Sequence, residues 1–249
     1  MVEATLAAIK YNLNFLSKGL LILFLILSVL APSYVLWVLY PQKNLLPLPD
    51  ELISIQSRQG NLFLESTNLL RADLELLLRS FQPQETTSFC GVASGVTVIN
   101  ALGGNLNQWT FFKNTDAKSR TFREVLFEGM SLEHLSSLLK NQNVSAKITY
   151  ASDINEATFR EALYSNLSNP RDFIIVNYQR KLLGQGRGGH ISPIAAIEKE
   201  SDYVLILDTA AHKYPPTWVK LSDLYKAMNT QDSSTDKSRG FITIKPGNS

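Results

Sequence analysis

Hydrophobic positions along the chain fall into three regimes. From Gly19 to Tyr40 there are 22 residues without a charge, including the unbroken run Leu20 to Leu27. A helix of that length crosses a hydrocarbon core of roughly 30 Å. Lys10 and Lys18 precede it, and Trp37 and Tyr40 close it. The basic end is therefore expected to stay cytoplasmic and the remainder to lie outside the cytosol. A cleaved signal peptide is the competing reading, since Leu20 to Leu30 resembles its apolar region and Ser28 to Ser33 holds small residues. The apolar run continues through Val35 to Leu39 with no clear A-x-A site, which favours an uncleaved anchor. The expected organisation is a cytoplasmic N-terminus over 1–18, an anchor or signal segment over 19–40, a linker over 41–51 marked by Pro41, Pro47 and Pro49, and a folded domain over 52–246.

Past the linker the apolar positions recur at helical spacing. Leu70, Leu74, Leu77 and Leu78 predict an amphipathic helix over 69–81, and Cys90 to Leu102 reads as a buried helix ended by Gly103-Gly104. Ser131 to Lys140 and Asn155 to Ser165 are two further helices. From Asp172 onward short β-branched runs replace that pattern: 173–176, 191–197 and 203–207 read as strands. Between the first two lies Gly184-Gln185-Gly186-Arg187-Gly188-Gly189, a run free to adopt backbone forbidden to other residues. Helices first and an antiparallel sheet second predict an α+β domain, a helical lobe packed on a sheet lobe with a cleft between them.

Composition narrows the chemistry. A net charge of +2, with no basic stripe interleaved with aromatics, argues against a nucleic-acid partner. One cysteine forms no internal disulfide, and neither CxxC nor HExxH is present, so no metal site is expected.

That cysteine sits in Gln84-Glu85-Thr86-Thr87-Ser88-Phe89-Cys90-Gly91, directly before the small apolar run Val92, Ala93, Val96, Val98, Ile99. A thiol at a helix N-terminus is placed where the dipole favours thiolate, and a glutamine six residues earlier has an amide to offer an oxyanion. A lone cysteine is otherwise a small buried hydrophobe, so partners decide. If the hairpin between the last two strands turns near Glu200, His190 lies opposite position 210 with Asp208 as its diagonal neighbour on the same face. A carboxylate there holds the imidazole tautomer while the other ring nitrogen meets the thiol. His134 is expected to face solvent. His212, in a Pro215-Pro216 loop, is the alternative base.

Gly188-Gly189-His190-Ile191-Ser192-Pro193-Ile194, then Leu205-Ile206-Leu207-Asp208, then Lys213-Tyr214-Pro215-Pro216-Thr217-Trp218-Val219, together with Gln84 and Cys90-Gly91, closely resemble the phytochelatin synthase family. The resemblance implies a papain-like cysteine enzyme. It takes the γ-glutamylcysteinyl unit of glutathione onto Cys90, releases glycine, and passes the acyl group to water or a second glutathione. Cys90 is then the nucleophile, His190 the general base and acid, Asp208 its orienter and Gln84 the oxyanion donor. Arg180 and Arg239 match family arginines near the γ-glutamyl group, with Gly189 beside them; Arg187 is a further candidate.

No cofactor is expected for acylation, with heavy-metal ions such as cadmium entering as thiolate complexes of glutathione. The expected partners are glutathione, a membrane through 19–40 and, as an assembly, a homodimer. The chain departs from the plant pattern in having no cysteine-rich extension after Ile244 and in carrying Ala211 where plant members have arginine, which favours deglycylation over peptide polymerisation. The expected location is extracytoplasmic (periplasmic), anchored or secreted. Two rivals remain: a papain-like leader peptidase, which shares the Gln-to-Cys spacing, and a catalytically silent thiol-peptide or metal-binding module on a membrane anchor.

Overall fold

The computed structural model describes residues 2–113, 116 and 119–247; the side chains of 1–17, Lys10 among them, and of 38 lie outside the described set. The chain divides into two compact units, Met1–Pro41 and Gln42–Ser249. The first is one helix, α1 (Val2–Leu39), whose stretch Lys18–Trp37 is long and apolar enough to cross a membrane and has none of its residues buried. Two of its serines bond within the helix: Ser28 donates to the Leu25 carbonyl and Ser33 to that of Val29, both at 2.8 Å.

The second unit runs β1 (Ile53–Ser54), α2 (Arg58–Leu64), β2 (Leu69–Leu70), α3 (Leu74–Ser80), α4 (Cys90–Ala101), α5 (Phe122–Glu128), α6 (Leu132–Lys140), β3 (Val144–Tyr150), α7 (Glu156–Ser168), β4 (Phe173–Gln179), β5 (Gly189–Glu198), β6 (Tyr203–Ile206), β7 (Thr217–Lys220), α8 (Leu221–Met228) and β8 (Gly240–Pro246). The strands form one antiparallel sheet in the order β1-β7-β6-β5-β4-β8-β3, with β2 paired to the end of β5.

The expected α+β architecture is present, with both faces of the sheet covered. Phe173, Ile175, Ile191 and Ile242 meet Val92, Val96, Leu135 and Leu138 of α4 and α6 on one side. Ile174, Val176, Ile194 and Phe241 meet Phe159, Leu163 and Leu224 of α7 and α8 on the other. The alternation along β4 thus feeds two cores, which is why Phe173 to Tyr178 are buried without a break. The helix expected over 69–81 is shorter. Leu69 and Leu70 pair with Glu198 and Ile197, the Ala72 N–H goes to the Leu167 carbonyl at 2.9 Å, and the helix starts only after Asp73. Tertiary hydrogen bonds took the backbone that helical periodicity claimed.

Candidate active site

Two elements converge on the site. Helix α4 begins at Cys90, and ten of its twelve residues are buried. Gly91 makes its approach to the sheet feasible: a Cβ there would meet Met130 Sδ at 2.5 Å and Ile191 Cδ1 at 3.2 Å. Hydroxyls stitch helix to strand: Ser94 Oγ lies 2.7 Å from the Cys90 carbonyl and 3.0 Å from that of Ile191, and Thr209 Oγ1 is 3.3 Å from the latter. The thiol is thereby fixed beside β5, whose second residue is His190.

A β-bulge between Ile194 and Ala196 shifts the pairing of β5 with β6 by one residue. Beyond it the Leu207 N–H donates to the Pro193 carbonyl at 2.9 Å and the Thr209 N–H to Ser192 Oγ at 3.3 Å. Asp208 therefore stands level with Ser192, one diagonal step from His190. His190 Nε2 lies 2.9 Å from Asp208 Oδ1, near enough to pair on protonation although off the line of a well-directed hydrogen bond. This leaves Nδ1 for the thiol. Tyr178, opposite His190 on β4, packs edge-on against the imidazole at 5.7 Å between centroids.

The electrostatics favour a neutral resting pair. Burial pushes the Cys90 thiol up, against the opposing pull of the Ile191 and Gly91 N–H groups and the Arg180 guanidinium. Burial, then Arg180, pushes His190 down to about 4, although Asp208 opposes this. Burial also works to raise Asp208, but His190 and Arg180 outweigh it and hold that carboxyl well below the usual carboxylate range. Burial thus opposes the helix-terminal thiolate expected from sequence. Desolvation of both partners outweighs the first-turn N–H groups.

Cys90 and His190 line one cleft with Thr87, Ser88, Glu128, Asn177, Gly189, Asp232 and Arg239. Arg239 precedes β8; it is 3% exposed, and its Nε has no partner. Its Nη1 donates to Thr230 Oγ1 at 3.3 Å and to the Gln231 carbonyl. Burial holds the guanidinium below its ordinary proton affinity, with Asp232 opposing. Asp232 Oδ1 lies 3.9 Å from Arg239 Nη2, and Oδ2 accepts from Asn177 Nδ2 at 2.8 Å. Gly189 borders this pair, since a Cβ on it would meet Arg239 Nη2 at 2.8 Å.

Other candidates sit elsewhere. The Gln84 amide donates to the Thr86 and Thr87 carbonyls at 2.9 and 3.1 Å, its Oε1 is buried without a partner, and the residue does not line the cleft. Arg180 is 6% exposed and bound within the protein: Nη2 to Asp208 Oδ1 at 2.7 Å and Nη1 to Gln185 Oε1 at 2.6 Å. Arg187 is exposed. His134 is half-buried rather than solvent-facing, because its Nδ1 accepts the Ser131 N–H at 3.2 Å in a capping box. His212 is half-buried in its loop and outside the cleft lining. Asp232 and Asn177 were missed in the sequence, yet Asn177 carried a signal as the one amide inside the apolar run Phe173–Tyr178.

The phytochelatin synthase family model matches residues 43–241. Glutathione gamma-glutamylcysteinyltransferase 1 of Lotus japonicus is 32% identical over 209 residues, 81% of this chain and 42% of that protein. The Arabidopsis thaliana protein of the same name is 32% identical over 208 residues, 80% and 42% respectively. The Schizosaccharomyces pombe enzyme is 26% identical over 207 residues, 80% and 50%. The chain thus spans half the length of these relatives or less. Among solved structures, xylellain, a cysteine protease from Xylella fastidiosa, aligns at TM-score 0.42 and 9% identity over 84% of this chain and 96% of its own. A double glycine motif protease from an AMS/PCAT transporter, bound to its leader peptide, aligns at 0.39 and 13% over 66% and 89%. Carrying Cys90 and His190 on one cleft, with Asp208 buried beside the histidine, and the family match across nearly the whole of its second unit, the chain belongs to the phytochelatin synthase family.

Proposed function

We propose that the protein is a thiol acyltransferase acting on glutathione: Cys90 takes the γ-glutamylcysteinyl unit, releases glycine, and yields the acyl group to water or to a second glutathione. The observation that carries this reading is the pairing in one cleft of Cys90 and His190 with a buried guanidinium and carboxylate, Arg239 and Asp232. A γ-glutamyl group ends in an α-ammonium and an α-carboxylate, and those two charges match the pair. An underpaired buried arginine gains most from a carboxylate that its fork can grip.

In the reaction, Cys90 Sγ attacks the carbonyl of the Cys–Gly bond while neutral His190 takes the thiol proton at Nδ1. The resulting imidazolium is stabilised by Asp208. The oxyanion faces the start of α4, where the Cys90 N–H has no acceptor one turn earlier in the helix. Collapse of the intermediate breaks the C–N bond, and the imidazolium protonates the departing glycine amine. His190 then deprotonates the water or amine that attacks the thioester. Gln84 serves this step by holding the turn before Cys90 through its bonds to Thr86 and Thr87. Heavy-metal ions enter as thiolate complexes of the substrate.

We further infer that Lys18–Trp37 anchors the chain in a membrane, with the second unit on the side opposite Lys10 and Lys18. The test of the chemistry is glycine release from glutathione by the full-length protein. Cys90→Ser should abolish it, and the family assignment would not rescue the reading if that variant released glycine at the rate of the unaltered protein.

A further inference from the structure

The carboxylate of Asp208 is used on one side only. Its Oδ1 receives Arg180 Nη2 at 2.7 Å and the Ala210 N–H at 2.8 Å, with His190 Nε2 at 2.9 Å, while Oδ2 is buried and has no partner. Both hydrogen bonds that it accepts are thus supplied by groups other than the imidazole that the aspartate is there to orient. Arg180 is in turn held from every side. Gln185 Oε1 takes its other fork at 2.6 Å, its carbon lies 5.1 Å from the ring centre of Tyr214 and 6.0 Å from that of Tyr178, and its backbone N–H goes to the Gly188 carbonyl at 3.1 Å. A guanidinium packed this way is not presented to a ligand.

We propose that Arg180 is a positioning residue for this site: it fixes Asp208 and, as the carboxylate's nearer cation, withholds that charge from His190, so that the imidazole works as a neutral base and not as half of a preformed ion pair. The inference rests on the thiol acyltransferase reading, in which Arg180 gains a function without touching substrate. Other charged and titratable groups surround His190. Cys90 comes from α4, Tyr178 from β4, and His212 and Lys213 from the segment after β6; Glu128, Asp232 and Arg239 stand across the cleft. Among the described residues, Arg180 is the one cation hydrogen-bonded to the carboxylate that His190 meets. Its removal leaves Asp208 a single ionic partner. The low proton affinity of His190, with Arg180 the second largest cause after burial, agrees with this.

The experiment is a histidine NMR titration of the full-length protein with Arg180→Gln, the His190 signal being assigned by its loss in His190→Gln, alongside glutathione kinetics on the same proteins. The titration needs no substrate, so failure of the acyltransfer reading would show separately as absence of glycine release by the unaltered protein. In Arg180→Gln the His190 midpoint should rise by at least about one pH unit, a tenfold gain in proton affinity, with kcat reduced and KM for glutathione little changed. Arg180→Lys should return the midpoint towards the original, because it restores the charge, while kcat stays low for want of the fork. If Arg180→Gln does not fold, Gln185→Leu replaces it. That variant loosens the guanidinium with Asp208 and His190 intact, and the midpoint should rise in the same direction. An unmoved midpoint in whichever variant folds, or a rise in KM at an unchanged midpoint, would overturn the proposal; the latter would assign Arg180 to the substrate carboxylate.

Discussion

At the scale of single residues, the substrate end of the cleft depends on Gly189 having no side chain. A methyl group there would lie 2.8 Å from Arg239 Nη2, and the guanidinium, lacking a rigid partner on that side, is the group that gives way. Gly189→Ala should therefore raise KM for glutathione by about tenfold or more, the scale of one charge-assisted contact, while kcat falls much less; a KM unchanged within error would remove Arg239 from the substrate site. His190 makes a second residue-scale prediction. Its folded-state affinity for protons, about pH 4, lies below the ordinary 6.5, so the unfolded chain binds a proton first as pH falls. Stability is then complete above about 6.5 and is lost between that pH and 4. Urea midpoints taken across this window should fall, and His190→Gln should flatten the dependence. A midpoint that rises on acidification would mean that the imidazole is held protonated.

At the scale of elements, register decides the chemistry. Pro193 is central to β5, facing Ile175 on β4, and its carbonyl points to β6, so its missing N–H also falls on the β6 side. The β6 ladder ends there, and the chain after Ile206 turns off with Asp208. Much of this was legible beforehand: the strands around 173–176, 191–197 and 203–207, the helix at Cys90 and the diagonal placement of Asp208 follow from apolar periodicity and a turn near Glu200. The bulge beside Ala195 shifts the register by one residue and so brings Asp208 level with Ser192. Strand β3 is not among the predicted strands although Val144–Tyr150 alternates apolar residues with Ser145, Lys147 and Thr149 in the period of a half-buried strand, and it pairs along all of β8. Gly240 leaves no room for a side chain between those strands; a Cβ would meet the Thr149 carbonyl oxygen at 2.1 Å. Gly240→Ala should destabilise the protein by about 1–3 kcal/mol, as overpacking against backbone does, and should displace the adjoining Arg239. An unchanged thermal midpoint would show that β3 and β8 can separate without cost.

At the scale of the whole molecule, the second unit holds every residue of the proposed chemistry, and the linker is part of it. The Asn44 and Leu46 N–H groups donate to the carbonyls of His212 and Lys213, each at 2.9 Å. Composition marked residues 41–51 as linker because prolines interrupt them, and a linker's backbone bonding to a distant loop leaves no mark on periodicity. Asp232 and Arg239 are separated in sequence by six residues, 233–238, and only the closure of that loop makes them one site. The central claim is covalent: Cys90 carries the γ-glutamylcysteinyl group. Intact-mass analysis of the full-length protein, quenched in acid after brief exposure to glutathione, tests it most directly. The account predicts an added γ-glutamylcysteinyl mass that maps to Cys90, disappears in Cys90→Ser, and decays as glycine accumulates. Glycine release with no adduct at any quench time, persisting in Cys90→Ser, would contradict it.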